Sequence, residues 1–215
     1  MYKRQGPERV AIVHDKQQYG EGIATAVRDT LEDKGVEVAM FEGITAGDKD
    51  FSSLVTKIKQ ADVDYVYYGG YHPELGLILR QARQANVDAT FMGPEGVGND
   101  GITSIAGEAA EGLLVTLPPA FDQKAENQEL AEAFAEKGED PSGPFVLTSY
   151  AAVQVIADGI EMAESTDPFE VADALRSGTF ETPIGTITYD EDGDMESFEF
   201  VVYEWHADGS KTVAK

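Results

Sequence analysis

The chain has 215 residues, and its 42% hydrophobic and 9% aromatic content is enough to build a buried core in one large domain or two small ones. Its net charge of -24 at pH 7 argues against nucleic acid and anionic membranes as partners, because both would repel an acidic surface, and it suits either life at high salt or an ordinary soluble acidic protein. The lack of cysteine excludes disulfides, zinc–thiolate sites and thiol catalysis.

The start of the chain and its hydropathy argue against a signal or membrane-spanning segment. No apolar run approaches the roughly 18 consecutive residues of a membrane-spanning helix. Residues 1–9, Met-Tyr-Lys-Arg-Gln-Gly-Pro-Glu-Arg, lack the apolar region of a secretory signal. The first strand pattern begins abruptly at Val10, so we expect either a truncated chain or a short foreign leader.

The first half of the chain alternates short apolar runs with helical patterns. Four strands are predicted, at 10–13, 36–40, 63–68 and 90–92. Between the first two, Ile23, Val27 and Leu31 recur every four residues, and Asp50 is expected to cap the next helix. Repeated strand–helix units of this kind predict an α/β fold with a parallel sheet and right-handed crossovers.

The stretch from Asp64 to Glu74 joins the third strand to its helix through a Gly-Gly-Tyr loop. Pro73 stands where the first helical position is expected, with Glu74 beside the positive end of the helix. Tyr71 is therefore carried at the carboxyl end of a strand, the edge at which open α/β sheets bind their ligands. The alternative interpretation is that Tyr71 only caps the core.

The strand–helix alternation stops at Pro118-Pro119, which we take as a domain boundary. Residues 125–176 then show three helical patterns in a row, and Asp167 is expected to cap the last of them. Such helices usually pack against a sheet, and the sequence predicts none in this stretch. Short strands are predicted only later, at 186–189 and 198–205.

Two patterns resemble cofactor or metal motifs, and each has a better interpretation. Gly96 to Gly101 matches the G-x-G-x-x-G dinucleotide fingerprint, but Asp100 would meet the pyrophosphate and the following helix is short, which favours a flexible binding loop. Asp190 to Asp194 resembles the start of a calcium loop. Because Gly193 comes one place early, a tight Asp-Gly turn is favoured.

No motif in the sequence identifies a catalytic nucleophile. His14, His72 and His206 lack metal-ligand spacing, and there is neither a Gly-x-Ser-x-Gly elbow nor a Walker loop. We therefore expect a protein that is not an enzyme, with no catalytic residue, no metal and no cofactor. A dinucleotide-dependent enzyme is the disfavoured alternative.

Three loop residues share the predicted ligand-binding edge. Tyr19 and Tyr71 follow the first and third strands, and Glu95 follows the fourth between flanking glycines. Two aromatic rings and one carboxylate could enclose an ammonium group carried on an apolar body. Taken singly, each is an ordinary surface loop residue, but their common edge favours a binding site.

Five segments resemble the periplasmic leucine/isoleucine/valine-binding proteins of branched-chain amino acid ABC transporters. They are Val10 to Gly22, Asp64 to Tyr71, Phe91 to Asn99, Asp140 to Pro144 and Trp205 to Ser210. Proteins of that family have the type I periplasmic-binding-protein fold, in which two α/β lobes, each a Rossmann-like parallel sheet flanked by helices, close over one amino acid. The resemblance implies that residues 8–118 and 191–215 form a nearly complete lobe two, and residues 119–190 the helical remainder of lobe one.

The resemblance also implies roles for four residues. Glu95 takes the ligand ammonium, Tyr19 and Tyr71 flank the ligand side chain, and Phe145 helps to enclose the aliphatic group. It implies amino acid uptake, a periplasmic location, a membrane permease as partner and a monomeric complete protein. An amino-acid-sensing receptor of the same fold is the alternative. The sequence does not distinguish leucine from isoleucine or valine, because one methylene in a hydrophobic pocket is worth only about 1–3 kcal/mol.

The chain departs from the family at its start. Family members begin with a signal peptide and the first half of lobe one, which holds the groups that bind the ligand carboxylate. Neither is recognisable here. We therefore expect the chain alone to bind branched-chain amino acids more weakly than family members do, and its helical middle section to be poorly ordered.

Overall fold

The computed structural model describes residues 6–214, so more than half of residues 1–9, for which a short foreign leader was one expectation, lies outside the described residues. The chain forms two compact units. The first extends to Leu117 and includes the chain from Val201 onward, and the second is Pro118–Phe200. The predicted boundary at 118 lies next to this division, whereas residues 191–200, predicted to belong with residues 8–118, are part of the second unit.

The described residues form strands and helices in the following order. The strands are β1 (Arg9–His14), β2 (Glu37–Gly43), β3 (Tyr65–Gly69), β4 (Thr90–Gly93), β5 (Leu114–Leu117), β6 (Phe180–Thr182), β7 (Gly185–Ile187), β8 (Val201–Trp205) and β9 (Lys211–Val213). The helices are α1 (Gln18–Asp33), α2 (Ser52–Ala61), α3 (His72–Gln84), α4 (Gly101–Ala106), α5 (Gln128–Glu136), α6 (Val146–Ala163) and α7 (Pro168–Ser177). Short 3-10 turns occupy Glu95–Val97, Gly107–Ala110, Phe121–Gln123 and Ala125–Asn127.

The first unit is built on one sheet with the strand order β2-β1-β3-β4-β5-β8-β9. The strands from β2 to β5 in this order are parallel, and β8 and β9 join the sheet antiparallel. This arrangement confirms the predicted α/β fold with a parallel sheet. Because β1, β3 and β4 are parallel, their carboxyl ends lie along one edge, and the loops that leave them share that edge.

The burial of apolar side chains in β1 and α3 agrees with the patterns that predicted a strand and a helix there. Val10 to Val13 in β1 are all at most 1% exposed, as expected for a strand covered on both faces. On α3, Leu75, Ile78 and Leu79 recur at helical spacing and are equally buried. Full burial of each such side chain contributes about 1.5–3 kcal/mol, so these few residues stabilise the sheet–helix contact substantially.

Two predicted helix starts differ in detail from the structure. Helix α2 begins at Ser52 with Phe51 at the cap position, and the Asp50 carboxylate accepts the Ser52 N–H at 3.0 Å from one residue further upstream. Phe51 is buried, so core packing fixes the cap residue and leaves Asp50 to satisfy the free amide. Helix α3 begins at His72, which makes Pro73 its second residue and Tyr71 its cap.

The second unit contains the three helices that were predicted between 125 and 176. The Asp167 carboxylate accepts the N–H groups of Phe169 at 2.9 Å and Glu170 at 3.4 Å, which confirms it as the cap of α7. The unit also contains a hairpin of β6 and β7, and β6 was not predicted. Its small core joins the hairpin to one face of α6.

The opposite face of α6 is apolar and exposed. Tyr150, Val153 and Ile156 are 44%, 68% and 52% exposed. We call these three side chains the apolar face of α6. Exposed apolar side chains grouped on one face of a helix are typical of a surface that packs against further protein.

The Asp190 to Asp194 segment forms the predicted turn. Gly193 has a φ of +89°, and its N–H donates to the Asp190 carbonyl at 3.1 Å. The Asp190 carboxylate accepts the amides of Asp192 and Asp194. Across residues 6–214 no group of three acidic or histidine side chains is arranged to hold a metal ion.

Within residues 6–214, no helix combines the length and the apolar content that a membrane crossing requires.

Candidate functional site

The structure places Tyr19, Tyr71 and Glu95 on three loops at the carboxyl edge of the sheet in the first unit. Tyr19 is the second residue of α1, which follows β1. Tyr71 caps α3 after β3, and Glu95 opens the 3-10 turn that follows β4. The strand order β1-β3-β4 makes these loops neighbours. The predicted edge therefore carries all three side chains.

The two tyrosine rings contact each other, and the residue after Glu95 contacts Tyr19. The Tyr19 and Tyr71 rings lie 5.4 Å apart between centroids and are tilted by 37°. The N–H of Gly96, the residue after Glu95, donates to the Tyr19 hydroxyl at 3.4 Å. Tyr71 is 48% exposed, so one side of the ring pair is open to a ligand. Rings at this separation and tilt form a favourable aromatic pair that offers an apolar surface.

Burial dominates the electrostatics of this edge. Desolvation raises the pKa of the Glu95 carboxyl above its ordinary value. It also raises the pKa of the Tyr19 phenol, an effect that the Gly96 N–H opposes and the charge of Glu95 reinforces. None of the ion pairs formed among residues 6–214 involves Glu95. A cationic ligand group would supply the missing counter-charge and bring the pKa of Glu95 down again.

Tyr67 belongs to the same environment, although the sequence suggested only a strand residue. Burial raises the pKa of its phenol, and charges on Tyr19 and Glu95 add to that effect. In the sheet it lies beside Ile12 of β1 and Met92 of β4, so it is central among the strands that carry the site. The strict alternation Tyr65, Val66, Tyr67 was the signal that could have placed it on the α1 side of the sheet.

Phe145, the fourth predicted site residue, lies in the second unit. It is the cap residue of α6 and is 49% exposed. Its part in a shared ligand cleft stays a prediction.

The glycine-rich loop after β4 has contacts that disfavour a dinucleotide site. The Asn99 side chain accepts the N–H of Gly101, the first residue of α4, so an amide that could face a phosphate is already used. Asp100 forms an ion pair with Lys211 at 2.9 Å. Helix α4 extends only to Ala106, too short a helix to provide the dipole on which pyrophosphate binding relies.

The fold is that of a periplasmic binding protein, and the chain belongs to that family, because a sequence model of the periplasmic binding protein matches residues 1–210. This confirms the family resemblance and the type I fold. The match places the chain in a family of solute-binding proteins rather than of enzymes.

Individual members of the family can be compared with the chain by sequence identity and by structure. Over 213 residues the chain is 59% identical to the leucine-, isoleucine-, valine-, threonine- and alanine-binding protein of Pseudomonas aeruginosa, covering 99% of the chain and 57% of that protein. It is 54% identical to the Leu/Ile/Val-binding protein of Escherichia coli K12, covering 97% of the chain and 56% of that protein. The crystal structure of a leucine-binding protein from Thermotoga maritima superposes with a TM-score of 0.87 at 29% identity, covering 98% and 60%. The chain thus spans little more than half the length of these relatives.

Proposed function

We propose that the chain provides one side of the ligand site of a solute-binding protein for branched-chain amino acids, the component that delivers its ligand to the permease of an ABC transporter. The observation that carries this proposal is the Glu95 carboxylate, which is partly desolvated and without an ion-pair partner among the described residues, beside the Tyr19–Tyr71 ring pair. An α-amino acid with an apolar side chain has the two groups that complement this arrangement.

Each ligand group has a counterpart at the site. The ammonium would meet Glu95, and a hydrogen bond to a charged group is worth roughly 1.5–3 kcal/mol. The aliphatic side chain would lie against the rings of Tyr19 and Tyr71, whose exposed surface is apolar. The names of the Pseudomonas and Escherichia relatives, which bind leucine, isoleucine and valine, support the same ligand class.

We assign the first unit to lobe two and the second unit to part of lobe one. In this assignment Phe145 helps to enclose the aliphatic group, and the ligand carboxylate is bound by the portion of the relatives that this chain does not span. The apolar face of α6 supports the assignment, because it has the composition of a surface that packs against further protein. A periplasmic location, a permease partner and a monomeric complete protein belong to the same proposal.

Leucine titration by calorimetry tests the proposal in a chimera in which this chain replaces the matching part of the Pseudomonas relative. Glu95→Gln is expected to weaken leucine binding by more than ten-fold, about 1.4 kcal/mol, because the ammonium loses its ionised partner. Glu108→Gln is the matched control, since Glu108 is an exposed carboxylate in the turn after α4. An unchanged affinity in Glu95→Gln would remove Glu95 from the site, and a chimera that binds no branched-chain amino acid would refute the ligand class.

A further inference from the structure

Each of the three site residues in the first unit is followed or preceded by a glycine. The pairs are Tyr19 with Gly20, Tyr71 with Gly70, and Glu95 with Gly96. Gly70 has a φ of +154°, within the range that favours glycine, but Gly20, Gly96 and the neighbouring Gly69 do not, so conformational freedom does not explain the glycine at these three positions. Space does.

The first close approach joins α1 to the last residue of β3. A Cβ added at Gly69 would lie 2.2 Å from the Gly20 carbonyl oxygen, and a Cβ at Gly20 would lie 2.6 Å from the Gly69 carbonyl oxygen and 2.2 Å from an Asp15 carboxylate oxygen. The Gly69 carbonyl also accepts the Asp15 N–H at 3.1 Å. The two backbones are therefore in direct contact, with no room for a side chain on either.

The second close approach joins the loop after β3 to the loop after β4. A Cβ at Gly96 would lie 2.6 Å from the Gly70 carbonyl oxygen and 3.2 Å from both the Tyr19 ring and the Tyr71 ring. Gly96 thus lies between the two tyrosines while its N–H donates to the Tyr19 hydroxyl. The two rings therefore flank a residue that has no room for a side chain.

We propose that Gly20, Gly69 and Gly96 are positioning residues of the ligand site: their backbone contacts link the three loops and fix Glu95 relative to the Tyr19–Tyr71 pair. A ligand site gains affinity when its groups are held in place before binding, and loops whose backbones are in contact can shift less relative to one another. The effect on ligand affinity depends on the proposed function, whereas the effect on the ring pair does not.

The Gly96→Ala variant tests the proposal by two independent measurements. In the unliganded chain, nuclear Overhauser contacts between the Tyr19 and Tyr71 rings should be lost, while amide exchange in β1 and β3 stays slow and shows that the sheet is intact. In the chimera described above, leucine affinity should fall by at least about ten-fold. Gly22→Ala is the control, because a Cβ there meets nothing within 4 Å, and it should leave both measurements unchanged.

Gly98→Ala separates this effect from general strain in the same loop. Its Cβ would lie 2.3 Å from the Leu117 side chain and 3.1 Å from the Glu95 carbonyl oxygen, and neither tyrosine ring is among its three nearest neighbours, so the ring contacts should persist. If Gly98→Ala and Gly96→Ala abolish the ring contacts equally, or if Gly96→Ala keeps the contacts or the affinity, the proposal is wrong. Should Gly96→Ala fail to fold, Gly20→Ala probes the other backbone contact by the same two measurements, and retained affinity there would also overturn it.

An original chimera that binds no leucine would count against the proposed function alone. The ring contacts of the unliganded Gly96→Ala chain would still decide whether the glycine contacts set the geometry of the site.

Discussion

Replacing each of two glycines in α1 with alanine should have opposite effects on stability. Both Gly20 and Gly22 lie in α1, where alanine normally stabilises a helix by about 0.5–1 kcal/mol over glycine. Gly22→Ala should show this gain, because its Cβ enters open space. Gly20→Ala should lose stability, because its Cβ would overlap an Asp15 carboxylate oxygen at 2.2 Å and the Gly69 carbonyl at 2.6 Å. Overpacking of this kind costs about 1–3 kcal/mol.

The difference in stability between Gly20→Ala and Gly22→Ala measures the cost of the steric overlap at residue 20. The helix-propensity gain is common to both and cancels, so Gly20→Ala should be less stable than Gly22→Ala by the overpacking cost of about 1–3 kcal/mol. Urea unfolding followed by tryptophan fluorescence measures this difference in the first unit, because Trp205 is the single tryptophan of the chain and is fully buried there. Equal stability of the two variants would mean that the backbone of α1 at Gly20 is not in contact with the backbone at the end of β3.

Three further predictions concern the cap, the charge and the order of the chain. Asp167→Ala should lower the opening free energy of α7 by about 1 kcal/mol, because two helix amides lose their acceptor; unchanged amide exchange in α7 would show that the cap contributes nothing. Leucine affinity of the chimera should fall as pH decreases through the raised pKa of Glu95, starting above the 4.5 of a solvated glutamate, because the ammonium binds the ionised carboxylate. A calorimetric pH series in which Glu95→Gln shows the same decline would assign it to another group. In the chain alone, amide exchange should be slower at 10–13 than across 125–176, where helices expose apolar faces, and uniform protection would contradict this.

That Tyr19, Tyr71 and Glu95 share one edge of the sheet could be predicted from the sequence because it follows from topology. Alternating strand and helix patterns imply a parallel sheet, and the residues that follow β1, β3 and β4 then share an edge without any knowledge of side-chain contacts. Tyr19, Tyr71 and Glu95 could be brought together on that basis alone. The role of Asp167 as the cap of α7 was equally predictable, because an aspartate followed by proline is a local signal for a helix start.

Features that depend on contacts between distant residues were not predictable. Strand β6 has only three residues and exists because it pairs with β7 and packs on α6, so no periodic pattern marks it. The displaced start of α2 results from the burial of Phe51, a tertiary effect. The contact of Gly96 with Gly70 joins loops that are separated along the chain, and a glycine in a loop carries no sign of what lies next to it.

The antiparallel strand β8 has a consequence for the order in which the chain folds. It pairs with β5, from which it is separated in sequence by the whole of the second unit, Pro118–Phe200. During synthesis on the ribosome, the free edge of β5 therefore stays unpaired until the second unit and β8 have been made. Trp205, the last residue of β8, can be buried in the core only after that point. Pairing of such distant segments is slow because loop closure precedes any stabilising contact. We expect that translation arrested before Val201 leaves a nascent first unit with an open sheet edge, a surface on which chaperones act and from which aggregation starts.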